Sequence, residues 1–453
     1  MAERFKLIVL DDDPTGSQTV HSCPLLLRWD GASLRRGLAH PSPLLFVLAN
    51  TRALDPEAAR GRVREICRAL KPALAWAEAA GHLDRWMVVS RGDSTLRGHF
   101  PLEVEVLHEE LGPFDATLLA PAFLPGGRTT VDGVHLLHGE PVHTTPFARD
   151  RLFGYRNSDL PAWVEEKSGG RIPAAVIQRL SLPELDAAAE SAEGLSRLSD
   201  RLAAFDGNTL VVVDAQKPQQ LEALGAALRR VTADGRRLMA QSAASLLNGL
   251  VELPPQTLDT HGLAALRRLD ADGRPLPGLV LVGSHVPLAD AQLERLLHER
   301  ACAGVELPVS QVARLLQDAG VQQPIAALQN DLLWQLRHQL RAGRTPVLYS
   351  SRGELHCPSA GERRRLGLEL AGLMARLVAA LIPDLGYVIS KGGITTHILL
   401  AEGLGLSQVA LQGQLMPGLS LVLAADLPVI TFPGNLGDVQ SLWQAWIIMQ
   451  SAR

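Results

Sequence analysis

The chain has 453 residues, of which 46% are hydrophobic and 20% charged, and its formal net charge is −4. This length predicts two domains, and the composition is typical of a globular protein that buries large cores. A charge this small, without a Lys/Arg run, argues against nucleic-acid binding, and no apolar stretch is long enough to cross a bilayer. Four scattered cysteines without CxxC spacing, and an N-terminus without a signal peptide, predict a cytoplasmic protein with free thiols.

The first predicted strand, 6–10, ends at three adjacent carboxylates, Asp11, Asp12 and Asp13, which are followed by a proline and by Gly16. An apolar run that stops at such residues indicates a buried strand entering a polar turn. Ligands of open α/β sheets bind outside the carboxyl ends of the strands. Three like charges repel one another there, so we expect a cation, a substrate hydroxyl or a basic side chain to offset them. On this segment alone, a solvated turn before a helix is the alternative.

The same pattern recurs at three further predicted strands, 44–49, 86–90 and 116–120. The polar residues concerned are Arg52 after the first of these strands, Asp93, Ser94 and Arg97 after the second, and Arg128 after the third. Arginine presents a planar fork that matches carboxylate or phosphate oxygens, and carboxylates and hydroxyls can bind a polyhydroxylated compound. Four such strand ends predict a site for a small, anionic, hydroxyl-rich molecule.

Apolar runs and amphipathic stretches alternate through the rest of the first half. We predict helices at 56–79 and 184–205, a strand at 210–214 and a strand followed by a helix within 238–250. This alternation is typical of βα units and a mainly parallel sheet. Residues 251–277 are rich in Pro, Asp and Gly and lose periodicity, so we predict an interdomain linker there.

The second half returns to the same alternation. Its predicted elements are strands at 278–282, 346–351 and 386–390 and helices at 288–303 and 361–381. The predicted fold class is therefore α/β, with two domains, 1–250 and 278–453, that each have a mainly parallel sheet flanked by helices.

Several motifs together resemble the four-carbon acid sugar kinase family along nearly the whole chain. They are Asp12-Asp13-Pro14-Thr15-Gly16, Asp93-Ser94-Thr95-Leu96-Arg97-Gly98, Pro121-Ala122-Phe123 with Gly127-Arg128-Thr129-Thr130, Ser390-Lys391-Gly392-Gly393-Ile394-Thr395-Thr396 and Pro433-Gly434-Asn435-Leu436-Gly437. Members of this family phosphorylate tetronate-type acids with ATP. The resemblance implies that 1–250 binds the sugar acid, that 278–453 binds the nucleotide, and that the active site lies in the interdomain cleft.

Phosphoryl transfer requires the acceptor to be positioned in line and the charge on the transferred group to be screened. We expect Asp12 to accept the proton of the substrate hydroxyl, and Asp13 to orient that base or to hold Mg²⁺ through water. The two roles could also be exchanged. The residues expected to bind the substrate are Thr15, Gly16, Arg52, Asp93, Ser94, Arg97 and Arg128.

The turn after strand 386–390 has the form of a phosphate-binding loop, with two glycines between a strand and a helix. It lacks the GxxxxGK[ST] spacing of a Walker A loop, and on its own such a turn is more often a structural connection. Lys391 before it could contact a phosphate, but a lysine at a strand end is more often exposed, so we expect it to face solvent. The resemblance assigns ATP to Ser284, Gly392, Gly393, Ile394, Thr395 and Gly434.

Three other interpretations are less well supported by the sequence. His135 and His138 have the spacing of a metal-binding pair, but no matching Cys or carboxylate accompanies them, so we predict no metal ligands in the protein itself. An oxidoreductase would need GxGxxG after the first strand. A non-catalytic sugar-acid sensor would have no use for the nucleotide motifs. The resemblance also favours a homodimer, whereas charge and composition predict no nucleic-acid or membrane partner. The extra acidity around Asp11 leaves the identity of the acid open.

Overall fold

The computed structural model of the protein describes residues 4–14, 16, 20–251, 253, 255–316, 322–353 and 359–451. The chain divides into two compact units, Met1–Pro255 and Gln256–Arg453. In each unit helices flank strands that are mostly parallel, so the predicted two-domain α/β class is confirmed. Among the described helices, none is both long enough and apolar enough to span a membrane.

The strands of the first unit are β1 (Phe5–Asp11), β2 (Cys23–Leu26), β3 (Leu44–Leu48), β4 (Arg85–Arg91), β5 (Ala116–Ala120), β6 (Arg128–Val131), β7 (Val134–Leu137), β8 (Glu140–Pro141), β9 (Gln178–Leu180), β10 (Thr209–Val213) and β11 (Leu238–Ser242). Its helices are α1 (Gly31–Ala39), α2 (Pro56–Ala79), α3 (Leu102–Leu111), α4 (Leu160–Lys167), α5 (Leu182–Glu190), α6 (Ala192–Ala203), α7 (Pro218–Ala233) and α8 (Ala244–Leu250).

The parallel strands of this unit follow the order β2-β3-β1-β4-β11-β5-β10-β9. From β1 the chain continues to β2 and β3 on one side, whereas from β4 it continues to β5 on the other side. The direction of winding therefore reverses between β1 and β4, and open α/β sheets form their ligand crevice at such a switch point. Strands β6, β7 and β8 form a small antiparallel sheet.

Strands β3 and β5 of the first unit are buried along their whole length, as is typical of strands in a parallel sheet covered by helices. Helix α2 begins where the sequence predicts it. The Asp55 side chain accepts a hydrogen bond from the backbone N–H of Ala58 at 2.9 Å, and Pro56 occupies the first turn. These local signals explain why the predicted strands and this helix are confirmed with shifts of one residue or less at most ends.

The strands of the second unit are β12 (Gly278–Val282), β13 (Cys302–Leu307), β14 (Thr345–Ser350), β15 (Tyr387–Lys391), β16 (Gln408–Met416), β17 (Leu419–Ala424) and β18 (Leu427–Phe432). Its helices are α9 (Thr260–Ala264), α10 (Pro287–Leu297), α11 (Val309–Leu315), α12 (Gln322–Arg341), α13 (Ala360–Ala379), α14 (Gly393–Ile398) and α15 (Ser441–Ser451). The strand order is β13-β14-β12-β15-β18-β17-β16, parallel as far as β18 and antiparallel beyond it.

Three elements differ from the sequence-based expectation. The predicted helix 184–205 is two helices, because extended Ser191 ends α5 and its hydroxyl accepts a hydrogen bond from Gly194 N at the start of α6. The helix predicted to reach residue 303 ends at Leu297, and β13 follows. Within 251–277, where we predict a linker, α9 packs against β16 and α15.

Candidate active site

Polar residues collect at the carboxyl edge of the first unit's sheet, where β3, β1, β4, β11 and β5 end side by side. Because these strands are parallel, the residues that follow them meet at one edge although they are far apart in sequence. The backbone connects the turns directly: Asp12 N donates to Arg91 O at 3.1 Å, and Arg52 N donates to Asp12 O at 3.2 Å. The structure thus places the turns after β1, β3 and β4 together, as their sequence pattern led us to expect.

Asp12 lies at the centre of this edge and is held by two arginines. Arg52 Nε donates to one carboxylate oxygen at 2.9 Å, and Arg52 Nη2 donates to the other at 2.5 Å. Arg91 Nη1 lies 3.8 Å from Asp12 Oδ1 and 3.7 Å from Asp11 Oδ1, while Arg52 Nη1 lies 3.5 Å from Asp13 Oδ2. Burial raises the pKa of Asp12 more than the facing Arg52 and Arg91 guanidinium groups lower it.

Asp11, the last residue of β1, is almost fully buried. Burial raises the pKa of its carboxyl to about 7, with the charges of Asp12 and Asp13 adding to the rise and Arg91 opposing it. Gly16 packs directly against this carboxyl, because a Cβ at that position would overlap its oxygens. Packing against Asp11 is therefore a sufficient reason for a glycine at position 16, whatever else it contacts. The predicted site residue Thr15 lies outside the described residues.

Asp93, predicted to bind substrate hydroxyls, follows β4 and forms a tight local cluster. Arg97 Nε donates to Asp93 Oδ2 at 2.7 Å, and the Thr95 hydroxyl donates to the same oxygen. Burial by itself would raise the pKa of Asp93, but Arg52 and Arg97 together with the Thr95 hydroxyl hold it well below its usual range. Asp93 is therefore a carboxylate at neutral pH.

Arg97 uses only part of its guanidinium in this cluster. Its Cζ lies 4.9 Å from the centre of the Phe147 ring, and within the described chain its two terminal nitrogens have no hydrogen-bond partner. Arg97 can therefore bind a further anion without giving up its contact with Asp93.

A pocket opens between these strand ends. Its charged and amide lining residues are Asp12, Asp93, Arg97, Glu103 and Gln241, and its apolar lining includes Phe100, Leu119 and Trp163. Of the charged residues, sequence reasoning found the first three and missed Glu103, which is on the first turn of α3 with no motif around it. It also missed Gln241, the penultimate residue of β11, which lies opposite Ser90 of β4 and whose buried Oε1 has no partner in the described chain.

Two other predicted residues lie near this pocket without lining it. Arg128 begins β6, donates from Nη1 to Gly126 O at 2.6 Å, and has its Cζ 5.7 Å from the centre of the Phe123 ring. Its buried Nε has no partner among the described residues. Ser94 is nearly buried, and its carbonyl lies 2.8 Å from His135 Nε2.

His135, the first histidine of the predicted pair, is a buried residue of β7 whose ring nitrogens are both used in hydrogen bonds. His135 is fully buried, and its two ring nitrogens lie 3.0 Å from the Thr130 hydroxyl and 2.8 Å from the Ser94 carbonyl. Burial lowers the pKa of His135 to about 4, so the ring is neutral. Across the part of the chain that the structure describes, no group of three or more His, Cys, Asp or Glu residues could hold a metal ion.

A second cluster lies in the second unit, at the carboxyl ends of the adjacent strands β12, β15 and β18. Ser284 follows β12, Gly392 and Gly393 follow β15, and Gly434 follows β18. A Cβ on Gly434 would lie 2.6 Å from the Ser284 hydroxyl, and one on Gly392 would lie 3.2 Å from Ser284 N. Gly392 also has φ +120°, which only glycine adopts readily. The close approach of the three turns therefore depends on glycine, because a side chain at Gly392 or Gly434 would crowd Ser284.

Thr395 and Ile394, both on the first turn of α14, complete this group. The Thr395 hydroxyl packs against Gly283, where a Cβ would overlap it, whereas the Ile394 side chain is 45% exposed. Five of the six residues to which the resemblance assigns ATP, Ser284, Gly392, Gly393, Thr395 and Gly434, are thus in or beside the same three turns, and Ile394 lies at their surface.

Lys391 does not face solvent, contrary to the sequence-based expectation. Its side chain is fully buried, Nζ donates to Pro433 O at 2.9 Å, and the ammonium lies 3.9 Å from the centre of the Phe432 ring. Burial lowers the pKa of Lys391 to about 7. Parallel pairing of β15 with β18 places this lysine beside the second glycine turn, a neighbour that the local sequence does not reveal.

Arg352 is a further residue that sequence reasoning missed. Its Nη1 donates to Ser284 O at 2.6 Å and to Asp290 Oδ1 at 2.9 Å, and its Nη2 donates to Val282 O at 3.3 Å. Arg352 therefore fixes the turn that carries Ser284. A signal was present, because β14 ends at Ser350 and is followed by Ser351 and Arg352, the same strand-then-polar pattern that marks the first unit.

One α/β unit thus gathers carboxylates and arginines around a pocket, and the other gathers glycine turns at adjacent strand ends, an arrangement typical of a two-domain α/β enzyme. A family model described as a sugar-binding N-terminal domain matches residues 7–250, and one described as a nucleotide-binding C-terminal domain matches residues 279–442. The chain belongs to the four-carbon acid sugar kinase family.

Among its curated relatives, a D-threonate kinase of Cupriavidus necator is 28% identical over 392 residues, covering 84% of this chain and 83% of the relative. A D-threonate kinase of Salmonella typhimurium is 26% identical over 462 aligned positions, covering 97% of each chain. A D-erythronate kinase of Heliobacterium modesticaldum is 28% identical over 233 residues, covering 48% of this chain and 47% of the relative.

Two solved structures share the fold. A Salmonella typhimurium LT2 protein has a TM-score of 0.66 at 18% identity, covering 98% of this chain and 99% of that chain. A Haemophilus influenzae protein has a TM-score of 0.60 at 16% identity with the same coverage.

Proposed function

We propose that the protein is an ATP-dependent kinase that phosphorylates a hydroxyl of a four-carbon sugar acid, such as a tetronate or an oxo-tetronate. The observation that carries the proposal is the pocket in which Asp12, Asp93 and Arg97 meet, because it combines a candidate base, a hydroxyl acceptor and a partly unpaired guanidinium. The relatives named D-threonate and D-erythronate kinase support this substrate class.

The acceptor acid would be bound by residues of the first unit. Arg97 and Arg128 are the candidates for its carboxylate or for the transferred phosphoryl group, since both carry guanidinium nitrogens without a described partner. Asp93, which stays ionised, would accept hydrogen bonds from the hydroxyls, with Ser94 beside it. Thr15 and Gly16 remain proposals from the family motif.

Asp12 is our candidate for the group that accepts the hydroxyl proton. It lines the pocket, and a pKa raised by burial brings a carboxyl closer to the range in which general bases work. Arg52 engages both of its oxygens, so Arg52 would orient Asp12 in addition to, or in place of, binding substrate. Asp13 would orient the base or contact Mg²⁺ through water.

The nucleotide would be bound at the turns around Ser284, Gly392 and Gly434, with Gly393, Ile394 and Thr395 as further contacts. Backbone N–H groups at glycine turns can approach phosphate oxygens closely, and a Cβ at Gly392 or Gly434 would fill this space. Mg²⁺ screens phosphate charge during phosphoryl transfer and is commonly held by one or two carboxylates plus the phosphates themselves.

The test is ADP release from ATP and Mg²⁺ across a panel of acids that includes D-threonate, D-erythronate and their 2- and 3-oxo forms. Turnover that depends on one acid supports the kinase and identifies its substrate. No turnover with ATP still bound would move the substrate outside the four-carbon acids. No turnover and no ATP binding would favour a non-catalytic sugar-acid sensor.

A further inference from the structure

Glu103 is a buried carboxyl in the acceptor pocket for which the proposed chemistry has no role. It lies on the first turn of α3, is 5% exposed, and lines the same pocket as Asp12 and Asp93. Burial first, and then the charge of Asp12, raise the pKa of Glu103 to about 7. A second acidic group beside Asp12 is costly to bury, so a neutral residue would stabilise the fold better here.

The partners of Glu103 lie on two different elements. The Thr51 hydroxyl donates to Glu103 Oε1 at 2.5 Å, and the Ser90 hydroxyl donates to Glu103 Oε2 at 2.8 Å. Thr51 begins the 3₁₀ turn after β3, and Ser90 is the penultimate residue of β4. Each carboxyl oxygen is therefore used to fix one of two chain segments that meet at the sheet edge.

These segments carry the two arginines that contact Asp12. Arg52 follows Thr51 directly, and Arg91 follows Ser90 directly. The Thr51 carbonyl also lies 3.0 Å from His99 Nε2, so the turn that carries Arg52 is held from both its side chain and its backbone. Glu103 is thus linked to the Arg52–Asp12 contact through Thr51 and Ser90, and in the described chain it has no hydrogen bond or ion pair with Arg52 or Asp12.

We propose that Glu103 is a positioning residue, which aligns Arg52 and Arg91 on Asp12 through its hydrogen bonds with Thr51 and Ser90. In the structure the carboxyl accepts from both hydroxyls, each at its own oxygen, whereas the amide of glutamine offers one acceptor and one donor. In Glu103→Gln, one of the two hydroxyls must therefore change from donor to acceptor, which alters the geometry of its hydrogen bond and shifts the segment that carries it. This inference rests on the proposed function only for its kinetic readout.

The kinetic experiment compares Glu103→Gln with Glu109→Gln, which removes the same charge from an exposed position on α3. We expect Glu103→Gln to lower kcat by about tenfold or more, because small displacements of a catalytic group have effects of this size, while the KM for ATP stays within about twofold. Glu109→Gln should match the wild type. An unchanged kcat, or equal losses of kcat and of ATP affinity together with a lowered Tm, would overturn the proposal.

A crystallographic comparison decides the question without any activity. We expect Glu103→Gln to lengthen or break the Arg52 Nη2–Asp12 Oδ1 contact, which is 2.5 Å in the wild type. If Glu103→Gln fails to fold, Thr51→Val removes one link at nearly constant volume and should displace Arg52 in the same way. An unmoved Arg52 in the variant that folds overturns the positioning role. If the wild type phosphorylates no acid, the proposed function fails and this comparison still stands.

Discussion

Arg52 donates two hydrogen bonds to the Asp12 carboxylate, from Nε to Oδ2 at 2.9 Å and from Nη2 to Oδ1 at 2.5 Å. The two residues are 40 positions apart and meet only because β3 and β1 are neighbours in a parallel sheet. A bidentate fork fixes the plane of the carboxylate as well as its position, which a lysine could not do. The orientation of the Asp12 carboxylate in the pocket is therefore fixed by Arg52.

Asp12→Asn should abolish acid-dependent ADP release, with a loss of about a hundredfold or more, because a positioned general base contributes at least that much. Asparagine keeps the shape of the side chain but cannot accept the proton. ATP affinity, measured by calorimetry, should stay within about twofold of the wild type. Asp132→Asn, on an exposed carboxyl of the β6–β7 turn, is the control. Near-normal turnover in Asp12→Asn would rule Asp12 out as the base.

Arg97→Lys should raise the KM for the acid by about tenfold and leave the KM for ATP unchanged, because lysine keeps the charge beside Asp93 but loses the planar fork. Initial rates at varied acid and saturating ATP measure the effect. Arg68→Lys, an exposed ion-pair residue on α2, should behave like the wild type. A KM for the acid that did not change would remove Arg97 from the acceptor site.

Gly434→Ala should weaken ATP binding by about tenfold, because the new methyl group would lie 2.6 Å from the Ser284 hydroxyl and displace the turn around it. The acid's affinity should not change. Gly367→Ala, in α13 of the same unit, adds a methyl group to open space and should keep ATP affinity while raising Tm slightly. Equal ATP affinity in Gly434→Ala and the wild type would argue against a nucleotide at these turns.

Asp11 predicts a pH dependence of stability. Folding raises its pKa from 3.8 to about 7, so the folded state binds more protons than the unfolded state between these values. The stabilisation is therefore complete below about pH 4 and is lost as the pH rises through about 7. Asp11→Asn, neutral at every pH, should gain in Tm relative to the wild type between pH 5 and pH 8. Thermal unfolding at both pH values measures this gain, and a constant Tm difference would contradict it.

Much of the fold could be predicted because it depends on local signals. Buried strands such as β1 and β12 appear as apolar runs. Helix α2 begins after the capping residue Asp55, which is followed directly by Pro56. Strand β13 is not apparent in the sequence because buried and exposed residues alternate in it and it follows closely on an amphipathic helix, so it lacks the continuous apolar run of the other strands. The antiparallel pairing of β16 and β17 beyond β18 was likewise not foreseen, since strand partners are chosen by packing far along the chain.

Some residues of the candidate site could likewise be predicted from the sequence, and others could not. Asp12, Asp93 and Arg97 could be named in advance because polar residues directly after an apolar strand are visible in a single sequence. Lys391 was misjudged because its burial depends on Phe432 and Pro433, which the neighbouring strand brings against it. Glu103 has no local signal at all, because its partners Thr51 and Ser90 come from other turns.

By itself, the sequence determined which residue types stand at the strand ends, how the strands and helices alternate, and hence the α/β class and the family. Only the tertiary structure decided which of those residues are in contact. Arg52 donates hydrogen bonds to Asp12, Glu103 accepts one from Thr51 next to Arg52, and the glycine turns converge on Ser284. The physical reason is the range of the interactions. Strand and helix signals act within a few residues, whereas the order of parallel strands, set by burial of the whole sheet, determines which distant turns become neighbours.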